Sequence, residues 1–568
     1  MPSSLPPFDL AQVPFSRAGS WFGLSPVVAE HDVRADVHLV SHRGGICGVL
    51  RLLPLWAGPT ETHANPARLV WTGGDGGLVT AVFEGVDGLR IRGLGGHFAI
   101  EAAQPSLTPH TGTYLTPDPA SDSYVFTSYE TGHRYRVTVH RGTCSVRGAE
   151  AVGRCERAVL VGPDDDGMWE LSIEELANTR PARTGEPSFD QLRDHVTDEF
   201  DRFLDRVVPW RDATTPAAAL AAYVLWSATV VPAGLLARPA VLMSKHWMDK
   251  VWSWDHCLNA LALAPGDPEL AWHQFLLPFD HQDEHGALPD SVAHGEVLRN
   301  FVKPPVHGWA LLQLLDRLGT PPPDDELLAA FEAVERSTTW WAELRSSPDR
   351  GLPYYQHGND SGWDNSTVFA DGQVLETADV AALLSLQMRH LSTIADRLGL
   401  ADRAQVWTAR AEEVQEALLG HLWDGEQFVS RSLVTGDVRR SRSLLTKVPL
   451  VLGEWLPDDV AAALGSLVEE HLTDHGLATE PVDSPDYEPD GYWRGPIWAP
   501  STILLVDGLR RTGHVQLADT VSERFLRLCE RSGFAENFDA LTGEGLRDRA
   551  YTWTASAYLL LAERSVRS

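Results

Sequence analysis

The chain has 568 residues, 43% hydrophobic and 22% charged, which supports a large buried core and more than one domain and excludes general disorder. The formal net charge of -31, from 78 acidic against 47 basic residues, repels phosphate backbones and anionic lipid heads. Nucleic acid and membrane surfaces are therefore poor partners, and a neutral small molecule is a good one. Five cysteines (Cys47, Cys144, Cys155, Cys257, Cys529) are odd in number, widely spaced and free of any CxxC, so neither a disulfide framework nor a zinc knuckle is expected. Met1 to Leu24 lacks a basic region followed by an apolar one, and no run of about 18 apolar residues occurs. Cytoplasm is the expected compartment. Oligomeric state leaves no mark in the sequence.

From about residue 25 to 185 the pattern is short and alternating. Tyr135, Val137 and Val139 alternate with Arg136 and Thr138, as in a half-buried strand. Leu78 to Phe83 and Leu89 to Leu94 flank Asp87-Gly88, a hairpin signal. Residues 1–185 are thus expected to form an antiparallel β-sandwich. Pro181, Gly185 and Pro187 break the chain, a helical stretch runs from Phe189 to Phe203, and Pro209 breaks it again. Residues 186–214 are read as a linker helix region.

From 215 to 568 the pattern is helical. In the stretch from Glu376, the residues Leu384, Met388, Leu391, Ala395 and Leu398 share one face at a 3.6 period, and Gly399 is placed to cap its C-terminal end. Similar segments lie near 217–236, 255–264, 268–277, 306–318, 325–345, 402–420, 458–472, 498–512, 515–530 and 553–565. About eleven helices without intervening strands, and without a repeat of fixed length, point to a closed α/α toroid whose long loops gather at one end.

Four loops rich in Trp and polar groups carry the candidate chemistry. The first, Lys245 to His256, presents Trp252 and Trp254 beside Asp255, which could also N-cap the following helix. The second, Tyr354 to Ser366, holds two candidate acids, Asp360 and Asp364, the latter between Trp363 and Asn365. In the third, Asp490 to Trp498, Arg494 follows Trp493 and could hold a hydroxyl, a carboxylate or Asp364 itself. The fourth places Glu536 in a non-helical stretch, with Tyr551 to Trp553 downstream. The 20 Trp against 11 Tyr add flat apolar faces able to stack on sugar rings. Glycoside hydrolysis needs two carboxyl groups flanking a scissile bond, one protonated and one ionised. Apolar walls such as Trp363 would raise the pKa of the acid. Spacing alone does not pair Asp364 with Glu536.

Ser361-Gly362-Trp363-Asp364-Asn365-Ser366 resembles the acid-bearing loop of glycoside hydrolase family 63 and the related trehalases. Tyr492-Trp493-Arg494-Gly495-Pro496-Ile497-Trp498 resembles the YWRGPxW loop of family 63. Glu536-Asn537-Phe538-Asp539 with Leu541-Thr542-Gly543 is similar to its base loop, with Phe538 and Ala540 in place of the usual Tyr and Pro. Trp252-Ser253-Trp254-Asp255 and Lys303-Pro304-Pro305 match more loosely. The trehalase form of the third motif is absent. This resemblance, over residues 215–568, implies an (α/α)6 barrel and an inverting mechanism without metal or cofactor. It assigns Asp364 as general acid and Glu536 as general base. Trp252, Trp254, Asp255, Lys303, Trp363, Asn365, Trp493, Arg494, Trp498 and Trp553 are placed around a carbohydrate substrate.

The expected activity is that of an exo-acting α-glucosidase on a small α-glucoside. An α-mannosidase or glycosylglycerate hydrolase on the same fold is the alternative. A barrel epimerase or lyase using His246, His256, His281, His285, His294 or His307 is a rival of a different class. A phosphorylase and a non-catalytic sugar-binding protein are others.

Overall fold

The computed structural model describes residues 5–104 and 112–567. Strands between Phe22 and Leu176 form two antiparallel sheets, of six and eight strands among the described residues. Their facing side chains make one core that includes Leu39, Leu52, Ile91, Phe98, Tyr135 and Ile173. The hairpin expected at Asp87-Gly88 is present, with Leu78–Phe83 paired to Gly88–Leu94. The alternation over 135–139 is less simple than it reads. Arg136 is buried, as is Arg90 on the same sheet. The outer face of that sheet is covered by residues 180–185, whose carbonyls accept from these guanidinium groups: Arg136 donates to Arg180 O, and Arg90 to Thr184 O and Gly185 O. Glu84, Glu170 and Glu174 supply the countercharge. Arg136 is less fully met than Arg90, since its Nε and Nη1 are buried without a hydrogen-bond partner and rely on the nearby carboxylates.

Helix α1 (Phe189–Val207) opens on a reciprocal Ser188–Gln191 capping box and lies against both the sandwich and α2. Then follow α2 (Ala218–Ala228), α3 (His256–Leu263), α4 (Pro268–Leu276), α5 (His307–Arg317), α6 (Asp324–Leu344), α7 (Ala378–Arg397), α8 (Ala401–Leu422), α9 (Asp458–Glu469), α10 (Ala499–Arg511), α11 (Val515–Ser532) and α12 (Thr552–Arg567). A 3-10 segment, Leu444–Trp455, lies between α8 and α9. Helix α3 packs on α5, α5 on α7, α7 on the 3-10 segment, that segment on α10, α10 on α12, and α12 back on α3. This is a closed inner ring of six. Helices α2, α4, α6, α8, α9 and α11 alternate with it along the chain and pack outside it. The fold is an (α/α)6 barrel.

Four readings need correction. The sixth inner element, Leu444–Trp455, lies in a stretch read as loop. It contains Pro449 and turns at Gly453 (φ 59°), and its residues from Leu444 to Gly453 are all buried, so no amphipathic period survives. The helix near 217–236 stops at Ala228, where the chain becomes extended and Thr229–Val230 pairs with Ala240–Val241. The helix read from Glu376 begins at Ala378, because Leu375–Glu376 pairs with Tyr354–Tyr355. Asp255 stands at the N-cap of α3 but makes no side-chain cap. The inter-helix loops also carry two- and three-residue antiparallel pairings, which stiffen them. Gly399 does end α7, at φ 72°.

All the motif loops lead into inner elements: 245–255 into α3, 303–306 into α5, 357–376 into α7, 490–498 into α10 and 536–551 into α12. Inner helices of such a ring run in one direction, so these loops converge at one end of the barrel. No helix among the described residues is long and apolar enough to cross a membrane.

Candidate active site

The acid loop is a short 3-10 turn, Gly358–Ser361, closed by Gly362 at φ 72°. A Cβ at Gly362 would sit 2.5 Å from the Trp254 indole, so glycine permits both the turn and the close approach of the first motif. Asp360 faces into the loop. Its carboxylate accepts from Arg345 (2.6 Å), Gln356 N (2.8 Å), His357 N (3.2 Å) and Val302 N (3.1 Å). Asp364 is different: among the described residues, no other residue hydrogen-bonds its carboxylate. Burial pushes its pKa up, Lys303 pulls it down, and Asp290 pushes it up again.

Lys303 is the cation of this side. Its Nζ donates to Asn359 O (2.7 Å) and lies 3.1 Å from Asp290 Oδ1, with the side chain 7% exposed. Asp255 shares the same field. Burial raises its pKa to about 8, against the opposing charge of Lys303, and Asp290 and Asp364 add to the rise. One ammonium thus serves three carboxyl groups. Asp255 Oδ2 is buried without a hydrogen-bond partner, and Asp290 Oδ1 has only its ion pair with Lys303. Asp255 also borders a small apolar cavity of about 20 Å³ lined by Trp254, Leu258, Val306, Trp309 and Leu504.

Glu536 is 1% exposed and immediately precedes the strand Asn537–Phe538, which pairs with Ile497–Trp498 and Gly545–Leu546. Burial raises its pKa to about 8. The charge of Asp548 adds to this, and Arg547 and a hydrogen bond from the Tyr492 phenol oppose it. Its Oε2 has no hydrogen-bond partner. Tyr492 lies in the field of both Glu536 and Asp364, and Tyr551 in that of both Glu536 and Asp255. Carboxyls from three distant motifs therefore surround one space. Tyr492 and Arg547 both have left-handed backbones (φ 60°), and the Arg547 guanidinium lies 4.9 Å over the Tyr492 ring. Strain of this kind collects at functional sites.

The remaining sequence-assigned residues split into two groups. Trp363, Trp493 and Trp498 are each 1% exposed and form a continuous stack, with ring centroids 4.8 Å and 3.9 Å apart. Trp498 meets Trp553 edge-on, and Trp553 meets Trp254 edge-on. These indoles wall the site; Trp252 is half-buried. Trp553 Nε1 is buried without a partner. Asn365 bridges loops: it donates to Gly491 O (3.0 Å) and accepts from Trp493 N (2.9 Å). Arg494 donates to Asn365 O (2.8 Å) and lies 3.8 Å from Glu488, so its guanidinium holds the acid loop's backbone. Phe538 and Ala540, the departures from the family pattern, are fully buried, and Phe538 meets Phe525 of α11 edge-on. Asp548 carries no mark in the sequence, Tyr551 lies in the downstream part of the fourth cluster without a role assigned to it, and the region 280–303 with Asp283, Glu284 and Asp290 is the stretch expected to contribute beyond the scissile bond.

The histidines are differently employed. His256 Nε2 bonds Val241 O (2.6 Å) and His307 Nε2 bonds Ser253 O (2.7 Å), and burial lowers both to about 4. His281 bonds Leu235 O, His294 packs edge-on against Trp21, and His285 is exposed beside Glu284.

An (α/α)6 barrel that gathers buried carboxyls and indoles at its loop end is the setting of a glycoside hydrolase, and the comparisons show that class. The chain belongs to the mannosylglycerate hydrolase MGH1-like glycoside hydrolase family, whose model matches residues 248–554. It is 27% identical over 401 residues to a mannosylglycerate hydrolase of Rubrobacter radiotolerans, covering 54% of this chain and 89% of that protein. It is 24% identical over 448 residues to a glucosylglycerate hydrolase of Mycolicibacterium hassiacum, covering 61% and 97%. Two solved structures share its fold. A family 63 mannosylglycerate hydrolase from Thermus thermophilus, in complex with glucose, aligns at TM-score 0.54 and 24% identity over 61% of this chain and 100% of that one. A bacterial glucoamylase complexed with acarbose aligns at TM-score 0.62 and 11% identity over 100% of this chain and 96% of that one.

Proposed function

We propose that this hydrolase is an inverting, exo-acting α-glycosidase with Asp364 as general acid and Glu536 as general base. The observation that carries the reading is the placement of Tyr492 in the field of both carboxyls, which are brought together from the loops that lead into α7 and α12. Asp364 protonates the glycosidic oxygen as the bond from the anomeric carbon breaks. A water on the opposite ring face gives its proton to Glu536 and its oxygen to the anomeric carbon. Exchange with solvent then resets both groups. The raised affinity of Glu536 for a proton makes it a stronger base, and its partnerless Oε2 is free to accept from that water. Asp255, Asp290 and Lys303 supply acceptors and a donor for the hydroxyls of one sugar. The carbonyl-bound, uncharged His256 and His307 weigh against the epimerase reading.

The sugar we assign is α-glucosyl on a small aglycone. The names of the relatives favour a second reading, an α-glucosyl or α-mannosyl glycerate. Hydrolysis of α-glucosides and α-mannosides, including their glycerate and glycerol conjugates, by wild type, Asp364→Asn and Glu536→Gln tests both. The first-formed anomer is read by NMR. Inverted product, lost in both variants, is expected; retained configuration would sink the mechanism. The preferred conjugate names the sugar and aglycone.

A further inference from the structure

Asp548 is fully buried and lies twelve positions after Glu536, outside every motif of the sequence. Its carbonyl accepts the Glu536 N–H at 2.7 Å. Its carboxylate is held on three sides. Oδ1 accepts from Ala550 N (3.0 Å) and lies 3.1 Å from His246 Nδ1, and Oδ2 accepts from the Ser244 hydroxyl. Three converging donors fix a buried carboxylate in place and keep its charge beside the base.

Ser244 and His246 belong to a loop that the N-terminal sandwich grips from its other side. Lys245 Nζ donates to Ser16 Oγ (3.0 Å) and Ser20 O (2.6 Å). His42, following the strand that ends at Ser41, lies 3.2 Å from Asp249. Trp247 packs against His246 on one side and against His31 of the sandwich on the other, with centroids 5.9 Å and 5.5 Å away. The sandwich thus reaches the base through buried contacts at Lys245 and His42, with the His31–Trp247 contact at the surface.

We propose that Asp548, clamped by Ser244 and His246, is a positioning residue that orients Glu536 and sets its basicity, and that the sandwich serves catalysis by holding this clamp. The proposal rests on Glu536 being the base. The groups facing Glu536 are Asp548, Arg547, Tyr492 and Tyr551. Arg547 and Tyr492 favour its ionised form, and Asp548 is the charge opposing them. Removing that charge therefore makes Glu536 a weaker base that ionises at lower pH.

The test is the pH profile of kcat/KM for wild type, Asp548→Asn, His246→Leu and His246→Asn, with a carbon-13 carboxyl NMR titration of Glu536 in wild type and Asp548→Asn. In Asp548→Asn the acid limb moves about one unit downward, kcat falls roughly 10–100-fold, and KM stays within about threefold. His246→Leu loses kcat similarly, and His246→Asn, whose amide can reproduce the Nδ1–H donor, recovers most of it. Should Asp548→Asn not fold, the His246 pair decides. An unmoved Glu536 titration in Asp548→Asn, or equal loss in both His246 variants, overturns the proposal. A Glu536 titration that moves while the acid limb stays still upholds the link to Asp548 and removes Glu536 from the base role instead.

Discussion

Asp360 and Asp364 stand one turn apart in the same loop with opposite surroundings. Asp360 accepts four hydrogen bonds, one from a guanidinium, and Asp364 accepts none from another residue among those described. The first organises the loop, and the second has the surroundings that the proposed acid role requires. Asp364→Asn should lower kcat by roughly 10³-fold without lowering the melting temperature, because burial already disfavours the ionised carboxyl. It should keep substantial activity on an α-glycosyl fluoride, whose leaving group needs no proton. Asp360→Asn should instead cost about 3 kcal/mol of stability, because the Arg345 charge loses its buried partner. Denaturant melts and the two substrates together check this.

Tyr492 donates to Glu536 and so stabilises its ionised form. Tyr492→Phe should move the acid limb of kcat/KM upward by about half a unit, and lower kcat roughly tenfold. The direction is opposite to that expected for Asp548→Asn. A downward shift would contradict the hydrogen bond as drawn.

Glu536 is raised from 4.5 to about 8, chiefly by burial. The unfolded chain ionises this group at the lower value, so the folded state loses stability as pH rises from 4.5 to about 8. Glu536→Gln removes that loss. Its stability advantage over wild type should be small at pH 4, grow through that window and level off above it, reaching on the order of 2–4 kcal/mol. Calorimetry at several pH values measures it, and an advantage that shrank with pH would show the carboxyl to be ionised at low cost.

Gly362→Ala adds both a left-handed alanine and a methyl 2.5 Å from the Trp254 ring. The expected loss is about 2 kcal/mol or more, or a displaced acid loop with kcat reduced over about 100-fold. A variant with wild-type stability and rate would mean that Trp254 yields freely.

How much of this was legible beforehand depended on whether a residue's surroundings are local. Helix α7 and its neighbours showed one apolar face each, and the loops before α3, α7 and α10 stood out as Trp- and Gly-rich. Leu444–Trp455 was not readable, since a segment buried on all sides has no period and Pro449 with Gly453 mimics a loop. Arg136 read as solvent-facing because its cover, residues 180–185, lies elsewhere in the chain. Asp360 and Asp364 could not be ranked, because the ranking comes from Arg345 and Val302, placed by other helices. Asp548 carried no signal, since its partners Ser244 and His246 lie some 300 residues away. Family resemblance supplied the pairing of Asp364 with Glu536 that no spacing could.

The stack of Trp363, Trp493 and Trp498 has an optical corollary. Two indoles nearly parallel (7°) at 3.9 Å couple their transition dipoles, and Trp363 of the acid loop joins them at 4.8 Å. Near-ultraviolet circular dichroism of this chain should therefore carry an exciton couplet whose amplitude reports the seating of the acid loop against its neighbour. The enzyme holds its own chromophore for the geometry on which its turnover depends.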